Sequence, residues 1–194
     1  MENIKTDNEF KDIMIDIETL STEQNAAIIS IAAVQFNKYT GEIGNEFISY
    51  INPSHWTENN RHANGNTIVW WLSQDQQLID GMINACKDSN NNLYDSLKDL
   101  SVFIKNTNSV EEPIVWGNGS VMDISILENA YKSLKLEVPW SYWAVNDVRT
   151  IVELNPSIKE NCTFEGEKHN PLNDCLHQIK YLSETIQSLN IKEH

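Results

Sequence analysis

The chain predicts an α/β fold, a sheet flanked by helices, and three observations carry that prediction. Three runs rich in β-branched and small apolar residues lie before Pro53. A shorter run, Pro113-Ile114-Val115-Trp116, leads into a Gly117-Asn118-Gly119 turn and then a helix. Between and after these, apolar residues recur at three- and four-residue spacing. With 194 residues, 40% of them hydrophobic, residues 1–194 make one domain of ordinary size with a core of its own.

The first strand is the apolar run within Asp12 to Leu20, which ends in Asp16 and Glu18. Alternation sends these two acids to one side and Ile15 and Ile17 into the core. A polar loop, Ser21 to Asn25, precedes a second buried strand over Ala26 to Phe36. Turn residues from Asn37 to Glu42 and the alternating run Phe47 to Ile51 complete an antiparallel hairpin. A polar excursion from Pro53 to Asn66 carries His55, Trp56, Arg61 and His62. The sequence then predicts a short helix capped by Thr67, with Trp70 and Trp71 readable either as core or as a platform for a base.

Helical spacing of Leu78, Met82 and Ala85 covers Gln77 to Lys87, and Asp88 to Asn92 breaks it. Leu93, Leu97, Leu100 and Ile104 define an amphipathic helix ending near Lys105. After the glycine turn, Asp123 opens a helix with Ile124, Leu127, Ala130 and Tyr131 on one face. Leu136 to Tyr142 reads as a loop, Asn146 to Leu154 as a helix capped by Asp147, and Asn155 to Lys168 as a polar connection. A final helix opens near Asn170-Pro171 and carries Leu172, Cys175, Leu176, Ile179 and Leu182.

Asp16 and Glu18 repel one another unless a cation lies between them, and the hard oxygen donors suit Mg2+ or Mn2+. A D-x-E triplet arises about once by chance in a chain this acidic. Its place at the head of a buried strand and the existence of further acids set it apart. Strand-turn-helix placement either gives Asp123 to a helix dipole or lifts it to the sheet end where α/β folds gather ligands. His169 and Asp174 are spaced H-x4-D across the start of the last helix, with the acid on a rigid element and the imidazole on its approach.

Lys+Arg 14 against Asp+Glu 28 gives 14 − 28 = −14, which excludes a protein that coats long duplexes through a basic face. It leaves room for short phosphate contacts made through metal ions. Cys86, Cys162 and Cys175 show no C-x-x-C spacing, so neither a disulfide framework nor a zinc site is expected. Met1 to Asp7 lacks the apolar stretch of a leader and no segment has the length of a membrane span, so a cytoplasmic location is expected.

The ordered set of Asp16-Ile17-Glu18, Trp116-Gly117-Asn118-Gly119 leading to Asp123, and His169-x4-Asp174 resembles the DEDDh branch of the ribonuclease H-like 3′-5′ exonucleases. Thr67 to Gln74 and Asn146-Asp147-Val148-Arg149-Thr150 resemble the small phage-encoded exonucleases and the mycobacterial 3′-5′ exoribonuclease family. The resemblance runs from Ile13 to about Leu182. Met122 stands where many relatives have an aromatic residue, and Pro171 follows the histidine without removing it.

The resemblance implies a ribonuclease H-like mixed sheet, with three antiparallel-linked N-terminal strands plus parallel ones. It also implies two Mg2+ or Mn2+ ions on Asp16, Glu18, Asp123 and Asp174, with His169 as general base. The implied reaction releases nucleoside 5′-monophosphates from a single-stranded RNA or DNA 3′ end. Thr19 and Leu20 would lie beside the terminal nucleotide. Trp70, Trp71 and Gln74 would hold the terminal or penultimate base, with Asn118 and Met122 on the other wall. Arg149 would meet a phosphate or pair with Asp147 or another acid. Relatives suggest a homodimer. The competing functions are a structure-selective endonuclease on the same fold and a catalytically silent binding module.

Overall fold

The computed structural model of the protein describes residues 10–107 and 112–191; the Met1 to Asp7 stretch lies outside them. Five strands form one sheet in the order β3-β2-β1-β4-β5, with β1 at Asp12–Thr19, β2 at Ile28–Phe36, β3 at Ile43–Tyr50, β4 at Ile114–Gly117 and β5 at Val145–Asp147. The β1, β2 and β3 strands are antiparallel neighbours, β4 joins β1 in parallel, and β5 joins β4 in parallel. The expected mixed sheet is therefore present. The helices are α1 (Gly65–Leu72), α2 (Gln76–Asp88), α3 (Leu93–Thr107), α4 (Asp123–Ser133), α5 (Val148–Val152), α6 (Pro156–Asn161) and α7 (Pro171–Ser188).

Alternation along β1 divides the interior into two layers. Ile13, Ile15 and Ile17 join Leu93, Leu97, Leu100 and Ile104 of α3 and Ile124, Leu127 and Tyr131 of α4. Met14 faces the opposite way, with Trp116, Val148 and the α7 residues Cys175, Ile179 and Leu182. Both sheet faces are thus covered, and all nine residues of β2 are buried, as a near-continuous apolar run requires. The Asp16 and Glu18 side of β1 is the side α7 covers.

Several boundaries differ from the sequence expectation, each for a local reason. Asn64, not Thr67, caps α1, its side chain accepting the Asn66 N–H, so the helix begins before the apolar run that marks it. The third strand begins at Ile43, ahead of Phe47, because pairing with β2 extends the hairpin closer to its turn. Val145 to Asp147 is a strand, since its backbone pairs with β4; the helix starts only at Val148, with Asp147 as its cap. Within the expected 155–168 connection, Pro156 initiates the short α6. Among the described residues no helix is long and apolar enough to cross a membrane, and all three cysteines are free.

Candidate active site

Three elements deliver the acids to one end of the sheet. The β1 strand ends on Asp16 and Glu18, and its register with β2 shifts between Glu18 and Thr19, the kind of irregularity that re-aims side chains at a strand end. The parallel pairing of β1 with β4 ends at Met14 opposite Trp116, so the turn after β4 rises beside the acids. That turn is braced by the Met122 N–H on the Gly119 carbonyl at 2.7 Å and the Ser120 N–H on Asp147 Oδ2 at 2.6 Å. It sets Asp123 at the head of α4, buried and accepting the Ile17 N–H. Asn170 caps α7 through the Leu172 and Asn173 N–H groups, placing Asp174 in the first turn.

Donor atoms of Glu18, His169 and Asp174 lie within 4.8 Å of one another. Asp16 and Asp123 lie outside that trio but act on it through their charges. Burial, then the charges of Asp123 and Asp174, raises the Asp16 carboxyl well above its ordinary value. Burial, then Asp16, Asp174 and Asp123, does the same to Glu18. Burial takes Asp123 to about 7 and Asp174 to about 6. Four carboxylates that resist ionising together, with three clustered donors, fit a hard divalent cation, whose charge relieves both burial and repulsion. Burial and the neighbouring Lys168 lower His169, which keeps its imidazole neutral and able to take a proton near neutral pH.

Beside the trio lies a cavity of about 370 Å³ lined by Glu18, Thr19, Thr22, Asn66, Thr67, Trp70, Trp71 and Met122, among others. The two tryptophans of α1 differ in burial. Trp71 is 6% exposed and donates its indole N–H to the Thr19 carbonyl at 2.9 Å, locking the strand end to α1. Trp70 is 42% exposed, stands edge-on to Trp71, and lies 5.0 Å from the His169 ring, centroid to centroid.

Other expected substrate residues sit differently. Leu20 packs against the Ile29, Trp71 and Cys86 cluster beneath the cavity. The Gln74 amide donates to the Trp70 carbonyl at the end of α1. Asn118 Oδ1 is buried without a hydrogen-bond partner among the described residues. Arg149 lies along a second groove with Gly119, Met122 and Asp147.

Sequence reasoning missed Thr22, Asn66 and Thr67 on the cavity wall, and it missed Gln178. That side chain is 5% exposed and donates to Asp16 Oδ1 at 2.8 Å. Its position four residues after Asp174, on the same face of α7, was the available signal.

Residues 11–186 match the model of a family described as the 3′-5′ exoribonuclease Rv2179c-like domain. No curated protein sequence matches the chain. Among solved structures, a full-length 3′-exonuclease aligns with a TM-score of 0.66 at 16% identity, over 93% of this chain and 84% of its own. The nuclease domain of 3′hExo, a DEDDh family member bound to rAMP, aligns at 0.61 and 17% identity, over 94% and 95%. Exonuclease X in complex with 5′ overhanging duplex DNA aligns at 0.57 and 14% identity, over 93% and 94%. The shared feature is the fold, a ribonuclease H-like mixed sheet between helices.

Proposed function

Because the chain belongs to the Rv2179c-like family of 3′-5′ exoribonuclease domains, we propose that it is a DEDDh exonuclease acting on the 3′ end of single-stranded RNA or DNA. Asp16, Glu18, Asp123 and Asp174 hold two Mg2+ or Mn2+ ions, and His169 is the general base. The observation that carries this reading is the meeting of Glu18, His169 and Asp174 donor atoms within 4.8 Å, at the edge of a cavity lined by Glu18 and Trp70.

The cations, when bound, offset the carboxylate repulsion and stabilise the negative charge that develops on the phosphate during attack. The chain's own residues do the rest. The 3′-terminal nucleotide enters the cavity, its base against Trp70 and Met122 and its sugar toward Thr19, whose carbonyl is fixed by Trp71. Stacking is tolerant of base identity, so little sequence preference follows. His169 takes a proton from water as the water oxygen bonds to phosphorus. The bond to the 3′-oxygen of the preceding nucleotide breaks, a proton returns to that oxygen, and a nucleoside 5′-monophosphate leaves.

The test is cleavage of 5′-labelled single-stranded RNA and DNA with Mg2+, Mn2+ or EDTA, beside Asp16→Ala and His169→Ala. The expected result is a metal-dependent ladder shortening from the 3′ end, abolished in Asp16→Ala. His169→Ala is expected to lose roughly 10²–10⁴-fold in rate while Mn2+ binding changes far less. Wild-type cleavage by Asp16→Ala sinks the site. Equal losses of rate and Mn2+ affinity in His169→Ala make the histidine a ligand instead of a base.

A further inference from the structure

The chain has only two arginines, Arg61 and Arg149, within a net charge of −14. Arg61 is buried, with one guanidinium nitrogen on Ser133 Oγ. Arg149 is exposed, and its guanidinium makes no hydrogen bond or ion pair among the described residues. The acid closest to it in sequence is occupied: Asp147 accepts the Ser120 N–H at 2.6 Å and the Thr150 N–H at 3.1 Å. Of the two roles the sequence left to Arg149, an ion pair with Asp147 or another acid is therefore the one not formed among the described residues.

The guanidinium instead lies against Gly119. A Cβ at that position would sit 3.0 Å from Arg149 Cζ and 3.2 Å from its Nη2, so the missing side chain at Gly119, where φ is +101°, is what leaves room for the arginine. Its positive charge reaches Asp123, which sets it beside the acid cluster and not on a remote surface. The groove it lines, with Gly119, Ser120 and Asp147, measures about 600 Å³ and shares Thr22 and Met122 with the cavity that receives the terminal nucleotide. The two spaces meet across those residues.

A polynucleotide whose last residue fills the first cavity must leave it on the 5′ side of the scissile phosphate. An unpaired guanidinium in an adjoining groove of an otherwise acidic protein matches one kind of group on that strand, a phosphodiester, which its forked donors grip bidentately. We propose that this groove seats the second nucleotide from the 3′ end, and that Arg149 is the positioning residue that holds the phosphodiester on that nucleotide's 5′ side. The proposal rests on the exonuclease reading of the acid site. It makes the preferred substrate a strand of at least three nucleotides, with the cleaved phosphate and the gripped phosphate on successive linkages.

The test compares single-stranded decamers of the sugar that the enzyme cleaves. One is unmodified, one has an uncharged methylphosphonate at the second linkage from the 3′ end, and one has it at the sixth. KM and kcat are measured for the first cleavage by wild type, Arg149→Gln and Arg149→Lys. Neutralising the second linkage is expected to raise KM roughly tenfold in wild type, as loss of one charge-assisted contact should, with the sixth linkage indifferent. In Arg149→Gln the penalty is expected to vanish, and in Arg149→Lys to be smaller than in wild type, the signature of coupling between residue and phosphate.

An equal penalty in wild type and Arg149→Gln, or none in wild type, overturns the proposal. Because Arg149 is exposed, thermal melts of the variants are expected to match wild type; a large drop in Tm overturns the view that Arg149 is free of structural duty. Asp16→Ala is run in parallel. Cleavage by that variant condemns the acid site itself, whereas an inactive Asp16→Ala with uncoupled Arg149 condemns only the groove.

Discussion

At the scale of single residues, the site depends on groups that hold other groups. Gln178 donates one hydrogen bond to Asp16, and its own Oε1 is buried without a partner among the described residues. The bond holds one oxygen of the Asp16 carboxylate, the group proposed as a cation ligand. Partners of this kind commonly govern metal affinity by about 10–100-fold when removed. Gln178→Leu, which keeps the volume and loses the donor, is therefore expected to weaken Mn2+ binding by roughly that factor in calorimetric titration. Unchanged Mn2+ affinity beside a lowered Tm would reduce Gln178 to a packing residue. Asp16 and Glu18 near a strand end and Asp123 and Asp174 in first helical turns were legible from the sequence pattern, while the roles proposed for them and for His169 came with the family resemblance. Gln178 was not, because its partner lies 162 positions away and only the docking of α7 on β1 brings the two together. Thr22, Asn66 and Thr67 were illegible for the same reason: a cavity wall is made by several segments at once.

At the scale of elements, α1 shows how one short helix serves both core and cavity. Trp71 and Trp70 are neighbours in sequence but lie about 100° apart around the helix. One reaches the Ile29 and Cys86 cluster while the other stays half outside. Trp71→Ala is expected to cost about 3–5 kcal/mol of stability, as large buried truncations do, and to lower kcat by freeing the Thr19 carbonyl. Trp70→Ala is expected to fold normally and to lose about 1–3 kcal/mol of substrate binding, one stacked base. Chemical denaturation and KM for a short oligonucleotide separate the two; a destabilised Trp70→Ala would contradict the assignment. Strongly periodic elements such as α3 and α7 were legible from spacing alone. The β5 strand was not: Val145 to Asp147 is too short for any period, and it is a strand only because β4 offers it a backbone edge.

At the scale of the whole molecule, the acid cluster sets how stability depends on pH and metal. The folded carboxyls of Asp123 and Asp174 titrate near 7 and 6, against an ordinary 3.8. Between about pH 4 and pH 7 the folded chain therefore holds protons that the unfolded chain has already released, and stability falls as pH rises through that window. In EDTA the Tm is expected to drop between pH 5 and pH 8, less steeply in Asp123→Asn, and saturating Mg2+ is expected to reverse the drop. A metal-free Tm that rises over that interval would mean the acids are not confined together. On the proposed function, the protein carries an unfavourable site through folding that a bound cation would neutralise. A smaller instance of the same bargain sits at His169, whose backbone adopts φ of +65°. That conformation costs a residue with a side chain about 1–2 kcal/mol, and glycine or asparagine much less. Selection of random variants for heat resistance alone should accordingly drift toward Gly or Asn at this position, and the hardier chains it enriches would have surrendered the imidazole proposed as the proton acceptor.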